Sequence, residues 1–163
     1  MSFLASKNGT CCIIGRPYIP MEYRVTLKCE LENLIAHGIT CYLFSGIDGF
    51  ENLCFQVLRE FQKTYEYIPI QLILLSTDIN LLIKAQADFD AVICLRPQSD
   101  DPSFSLNRVA IEHSSFMVYF QLTDYGGSRG DIVYGEGLGL RSINIARRKK
   151  EDIEPTLFPL VPK

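Results

Sequence analysis

Long apolar runs are missing from this 163-residue chain, and none approaches the roughly 20 consecutive residues that cross a bilayer. Its first residues, Met1-Ser2-Phe3-Leu4-Ala5-Ser6-Lys7, hold no signal-peptide core, so a cytoplasmic protein with no membrane partner is expected. Basic charge is not in excess either. Sixteen Lys and Arg stand against nineteen Asp and Glu, a formal net charge of −3, which argues against a nucleic-acid binder. No Cys-x-x-Cys pair occurs among the six cysteines, and His37 and His113 stand in no ligand-like spacing with them, so no metal site is expected. Internal repeats, low-complexity stretches and interdomain linkers are absent as well. The composition excludes a disordered chain, a collagen and a coiled coil.

What remains is a chain that is 47% hydrophobic, enough for one domain with a sizeable core. Short runs rich in Ile, Val, Leu, Tyr and Phe recur at residues 11–14, 40–44, 70–75, 91–95, 116–120 and 142–145. Each has the length and character of a strand buried on both faces. Helical patterns alternate with them. Leu27, Leu31, Leu34 and Ile35 form one stripe, with Gly38 just past its end as a C′ residue. Phe50, Leu53, Cys54, Val57, Leu58 and Phe61 form a cleaner one. A third helix is marked by Ile79, Leu82 and Ile83, a fourth runs from about Ser103 to His113, and a short fifth follows Gly130. Strand and helix in alternation specify a single α/β, three-layer domain over residues 1–146, with about six mainly parallel strands. Residues 147–163 read as a charged, proline-containing tail, because Arg147-Arg148-Lys149-Lys150 is followed directly by Glu151-Asp152. The cysteines lie mostly inside the apolar runs, as reduced thiols packed in the interior.

Open parallel sheets bind ligands beyond the carboxyl ends of their strands, where strand order reverses. Three loops in those positions carry suitable residues. Gly15-Arg16-Pro17 follows the first strand and offers close backbone approach and a planar cation. Ser45-Gly46-Ile47-Asp48-Gly49 runs from the second strand straight into a helix, with Ser45 or Asp48 as its N-cap. Gly126-Gly127-Ser128-Arg129-Gly130-Asp131 follows the fifth strand and suits a nest of N–H groups for an anion. Neither the dinucleotide fingerprint nor a Walker-type lysine is present.

The order Cys-Cys-Ile-Ile-Gly-Arg-Pro, Ser-Gly-x-x-Gly opening a helix, Leu106-Asn107-Arg108 and Gly126-Gly127-Ser128 resembles the SLOG superfamily, and within it the YpsA-like bacterial branch. The resemblance spans about residues 10 to 145. It implies a Rossmann-like sheet of order 4-3-2-1-5-6 and a bound nucleotide or nucleotide-derived ligand. Transferred residue by residue, it puts ligand contacts at Gly15, Arg16, Ser45, Gly46, Gly49, Glu51, Asn107, Arg108, Gly126, Gly127 and Ser128, with Arg129 completing the anion loop. The chain departs from the branch at three places. Gly15 runs directly into Arg16 without the intervening histidine, the second loop is one residue shorter, and Gln56 replaces a glutamate.

The phosphoribohydrolase members of the superfamily carry P-G-G-x-G-T-x-x-E, whose glutamate stabilises a cationic ribosyl centre. Here Gly130 falls one position late and Val133 occupies the glutamate's place, leaving Asp131, Glu136 or Glu51 as possible substitutes. The expected function is therefore binding or sensing of a nucleotide-like small molecule without turnover. No cofactor is required beyond a bound nucleotide or phosphate. N-glycosidic hydrolysis or transfer, and a protein-interaction module with a decayed pocket, are the alternatives. A homo-oligomer is expected, as superfamily members often self-associate and a helix bearing Phe50, Phe55 and Phe61 has more aromatic surface than one sheet face needs.

Overall fold

A computed structural model describes residues 6–15, 17–96, 104–123 and 127–148. Among these residues there are six strands: β1 Thr10–Ile14, β2 Cys41–Phe44, β3 Gln71–Ser76, β4 Ala91–Cys94, β5 Phe116–Tyr119 and β6 Arg141–Asn144. The helices between them are α1 Arg24–Ala36, α2 Gly49–Thr64, α3 Ile79–Ala85, α4 Leu106–Glu112 and α5 Arg129–Gly137. All strand pairings are parallel and the sheet order is β4-β3-β2-β1-β5-β6, the order the resemblance implies.

Apolar side chains cover both faces of the central strands. Ile13, Tyr42, Phe44, Leu72 and Leu74 pack with α1, α2 and α3, whereas Cys12, Ile14, Leu43, Leu75 and Met117 pack with α4 and α5. This division follows from handedness. Right-handed crossovers from β1 outward to β4 put their helices on one face, and the return through α4 and α5 uses the other. Burial on both faces holds for β1 and β2 but fails at β4, whose residues are exposed or half-buried. An edge strand has a neighbour on one side only, which its apolar run does not reveal.

The helix ends follow local chemistry. At α1, Gly38 adopts φ +88° and donates to Ile35 O at 3.0 Å, while Ile39 donates to Leu34 O at 3.0 Å. This is a Schellman closure, and Gly139 with Leu140 repeats it after α5. The fourth helix begins at Leu106, later than the pattern suggested, because the Ser105 hydroxyl accepts from the Arg108 N–H and caps it there. Ser103 lies outside the described residues.

The aromatic surface of α2 is taken up inside the chain. Phe50 and Phe61 are buried, and Phe55 lies 4.7 Å from Phe89 between ring centroids. That surplus therefore gives no ground for a second copy. The first two arginines of the basic run are fastened to the domain. Arg148 Nε donates to Oε1 of the buried Glu30 at 2.8 Å, and Arg147 donates to Leu122 O at 3.2 Å.

All six cysteines are free thiols; Cys11, Cys12, Cys41 and Cys54 are buried, Cys29 is half-buried and Cys94 is exposed. Burial pushes the Cys12 thiol up to about 12 and holds Cys11 and Cys54 well above the usual thiol value. A raised pKa keeps these groups protonated at neutral and mildly alkaline pH, and only the thiolate alkylates. Iodoacetamide at about pH 8 should therefore modify Cys94 first and reach Cys11, Cys12 and Cys54 only after unfolding. Peptide mass mapping with and without denaturant checks this; fast native labelling of the β1 cysteines would mean that the sheet centre opens.

Candidate functional site

The chain leaving β1 turns toward α1 on one face, and the chain leaving the adjacent β5 turns toward α5 on the other. Two neighbouring loops that part in this way leave a crevice between them. A cavity of about 920 Å³ occupies it. This lies at the upper end of the size usual for small-molecule sites. Gly15 borders it after β1, Ser45 after β2, Thr77 after β3 and Gln121 to Thr123 after β5. The first turns of α4 and α5 complete it with Asn107 and Asp131.

A connected set of polar side chains runs along its base. The Ser45 hydroxyl donates to Asn107 Oδ1 and lies 3.5 Å from Glu51 Oε2. Asn107 Nδ2 in turn donates to Asp131 Oδ2 at 2.9 Å. Four elements are thereby held in one arrangement: the loop after β2 and the starts of α2, α4 and α5. Glu51 is buried, and Gly46 is what admits it. A Cβ at Gly46 would stand 3.1 and 3.3 Å from the two Glu51 carboxylate oxygens, closer than ordinary contact. Asp48 holds the N-cap position of α2 without a side-chain capping bond.

Gly15 has φ +110°, a conformation that a residue with a side chain rarely adopts. A Cβ there would lie 3.5 Å from Ser128 Oγ, so the backbone conformation and not the space requires glycine. Gly127, φ +56°, turns the chain into Ser128 and α5. On the β5 side, burial raises the Tyr119 phenol above its ordinary value, which leaves it a neutral donor beside the cavity.

Of the residues expected from sequence, Gly15, Ser45, Glu51, Asn107, Gly127 and Ser128 line the cavity. Arg16 and Gly126 lie outside the described residues. Gly46 lies against the Glu51 carboxylate, and Gly49 opens α2 with φ +53°. Arg108 does not line it. Its guanidinium is 4.0 Å from Asp131 Oδ1 and 4.6 Å from the Tyr134 ring centroid. Arg129, the exposed first residue of α5, does not line it either. Among the described lining residues the charged side chains are Glu51 and Asp131, so the base is acidic.

A solved structure shares this architecture. The Moco carrier protein of Chlamydomonas rheinhardtii matches with a TM-score of 0.54 at 14% identity, over 86% of this chain and 77% of that one. The fold is Rossmann-like. No family model matches the chain, and no curated protein matches it significantly in sequence. Among the described residues no helix is long and apolar enough to cross a membrane.

Sequence reasoning missed Thr77, Tyr18, Tyr119 and Leu122 as neighbours of the cavity, and named Asp131 only as a stand-in acid. Thr77 was within reach, since it directly follows β3 at the carboxyl edge already singled out. Leu122 was hidden by its apolar character in a loop.

The glycines give a direct test of this geometry. Gly15→Ala should lower stability by about 1–2 kcal/mol through its positive φ. Gly130→Ala, with open space around its Cβ inside α5, should be neutral or stabilising by up to about 1 kcal/mol. Urea midpoints at constant m-value measure both. Equal effects at the two positions would contradict the described loop after β1.

Proposed function

We propose that the chain binds a nucleotide or nucleotide-derived molecule in this cavity and holds it without turnover, as a divergent SLOG-type protein of the cytoplasm. The observation that carries the reading is the hydrogen-bonded base Glu51, Ser45, Asn107 and Asp131, set at the bottom of a cavity at the β1/β5 crevice. Carboxylates accept hydrogen bonds from ribose hydroxyls, and two of them in one base suit a sugar better than a bare anion. A phosphate would then lie toward Gly127 and Ser128, where the turn into the nine-residue α5 offers backbone N–H groups. Its structural neighbour is named a carrier, and holding a ligand without chemistry is the same kind of task.

Two carboxylates in one cavity are also the feature that favours the alternative, N-glycosidic cleavage. Against it, Asp131 is engaged by Asn107, and Glu136 is exposed and does not line the cavity. Val133, at the position of the phosphoribohydrolase glutamate, is exposed too. Cleavage needs a carboxylate aligned with the ribosyl centre.

A thermal-shift screen of nucleoside mono-, di- and triphosphates and dinucleotides tests the proposal. A ligand present at a hundredfold its Kd should add about 2.7 kcal/mol of stability. Asn107→Ala should weaken the same ligand about tenfold or more, because both Ser45 and Asp131 lose their partner. Chromatography of the mixture should show no released base. A chain that shifts with none of these compounds would leave the interaction module as the surviving reading, and base release would establish the hydrolase.

A further inference from the structure

We propose that Tyr18 is the stacking platform for the planar ring of the bound molecule, so that the site selects ring-bearing nucleotides over ring-less sugar phosphates. The inference rests on the nucleotide-type reading of the cavity and adds the residue that discriminates within it. Tyr18 is 92% exposed and borders the cavity together with Pro17. Its neighbours in sequence do the opposite. Ile19 packs against the core, and Tyr23 meets Phe120 edge-on with ring centroids 5.0 Å apart. Pro17 and Pro20 bracket the pair Tyr18-Ile19 and restrict the backbone on either side. The segment is thus anchored by Ile19 and Tyr23, while the one ring that touches neither core nor partner element stands at the cavity.

Leaving an aromatic side chain in water forgoes a large apolar burial, and a tyrosine next to a cavity recovers it when a flat ring is laid on its face. The loop from β5 supplies a second apolar side chain, Leu122, 58% exposed and also lining the cavity. These two loops leave β1 and β5 for opposite faces of the sheet. The polar base takes the sugar, and the apolar lip above it takes the ring.

Calorimetric titration of the full chain with AMP, GMP, CMP and UMP, beside ribose 5-phosphate, separates the possibilities. Tyr18→Ala should weaken the nucleotides about tenfold or more and leave ribose 5-phosphate unchanged, because base stacking is lost and sugar contacts are kept. Tyr18→Phe should retain the parent affinity, since the ring face and not the hydroxyl is used. Tyr18→Trp introduces the chain's first tryptophan, whose emission should quench with a nucleotide and not with ribose 5-phosphate. Stability should be the same in all variants, given the exposure of the side chain. Nucleotides bound equally by parent and Tyr18→Ala would overturn this inference and leave the cavity reading intact. A parent that binds neither nucleotides nor ribose 5-phosphate would overturn both.

Discussion

Parallel neighbours in a sheet can be joined only by crossovers, and crossovers turn right-handed. From β1 the chain steps outward through β2 and β3 to β4, then returns past its starting point to β5 and β6. The reversal forces α1, α2 and α3 onto one face and α4 and α5 onto the other. At β1 and β5 the outgoing loops must separate, and the space between them is the cavity. The candidate site exists because these two adjacent loops part.

The cavity is given its character by a few polar side chains that satisfy one another. Ser45 and Asn107 join the loop after β2 to α4, and Asn107 joins α4 to α5. Buried polar groups are costly when unpaired, so a connected set of this kind holds one geometry and resists small displacements. It also makes the base acidic. Glu51 lies against a glycine that leaves room for it, and Arg108 is drawn to Asp131 and the Tyr134 ring without lining the cavity. Such a base accepts from hydroxyl donors more readily than it holds free anions. For that reason a sugar-bearing ligand accounts for it better than phosphate alone.

The interior shows the same economy in its use of residues. Buried cysteines on β1 act as small apolar groups, kept as neutral thiols by their own desolvation. The Phe55 ring of α2 packs on Phe44 of β2 and on Phe89, which themselves meet edge-on, and so stiffens the face beneath the second loop. Rigid packing there supports Glu51, which begins in the first turn of the same helix.

Period and local chemistry were legible in the residues themselves. The strand runs, the stripe from Phe50 to Phe61, the Gly38 helix stop and the need for glycine at positions 15 and 127 are each decided within a few residues of chain. The sheet order came through the resemblance, since periodicity alone does not rank strands, and the exposed edge at β4 went unseen for the same reason. Side-chain partnerships were decided by tertiary structure. Ser45 meets Asn107 across 62 residues, and Asp131 lines the cavity while Arg108 and Arg129 do not. Hydrogen bonds and charge placement depend on angstrom distances between separate elements, and those distances are set only when the crossovers have packed their helices against the sheet.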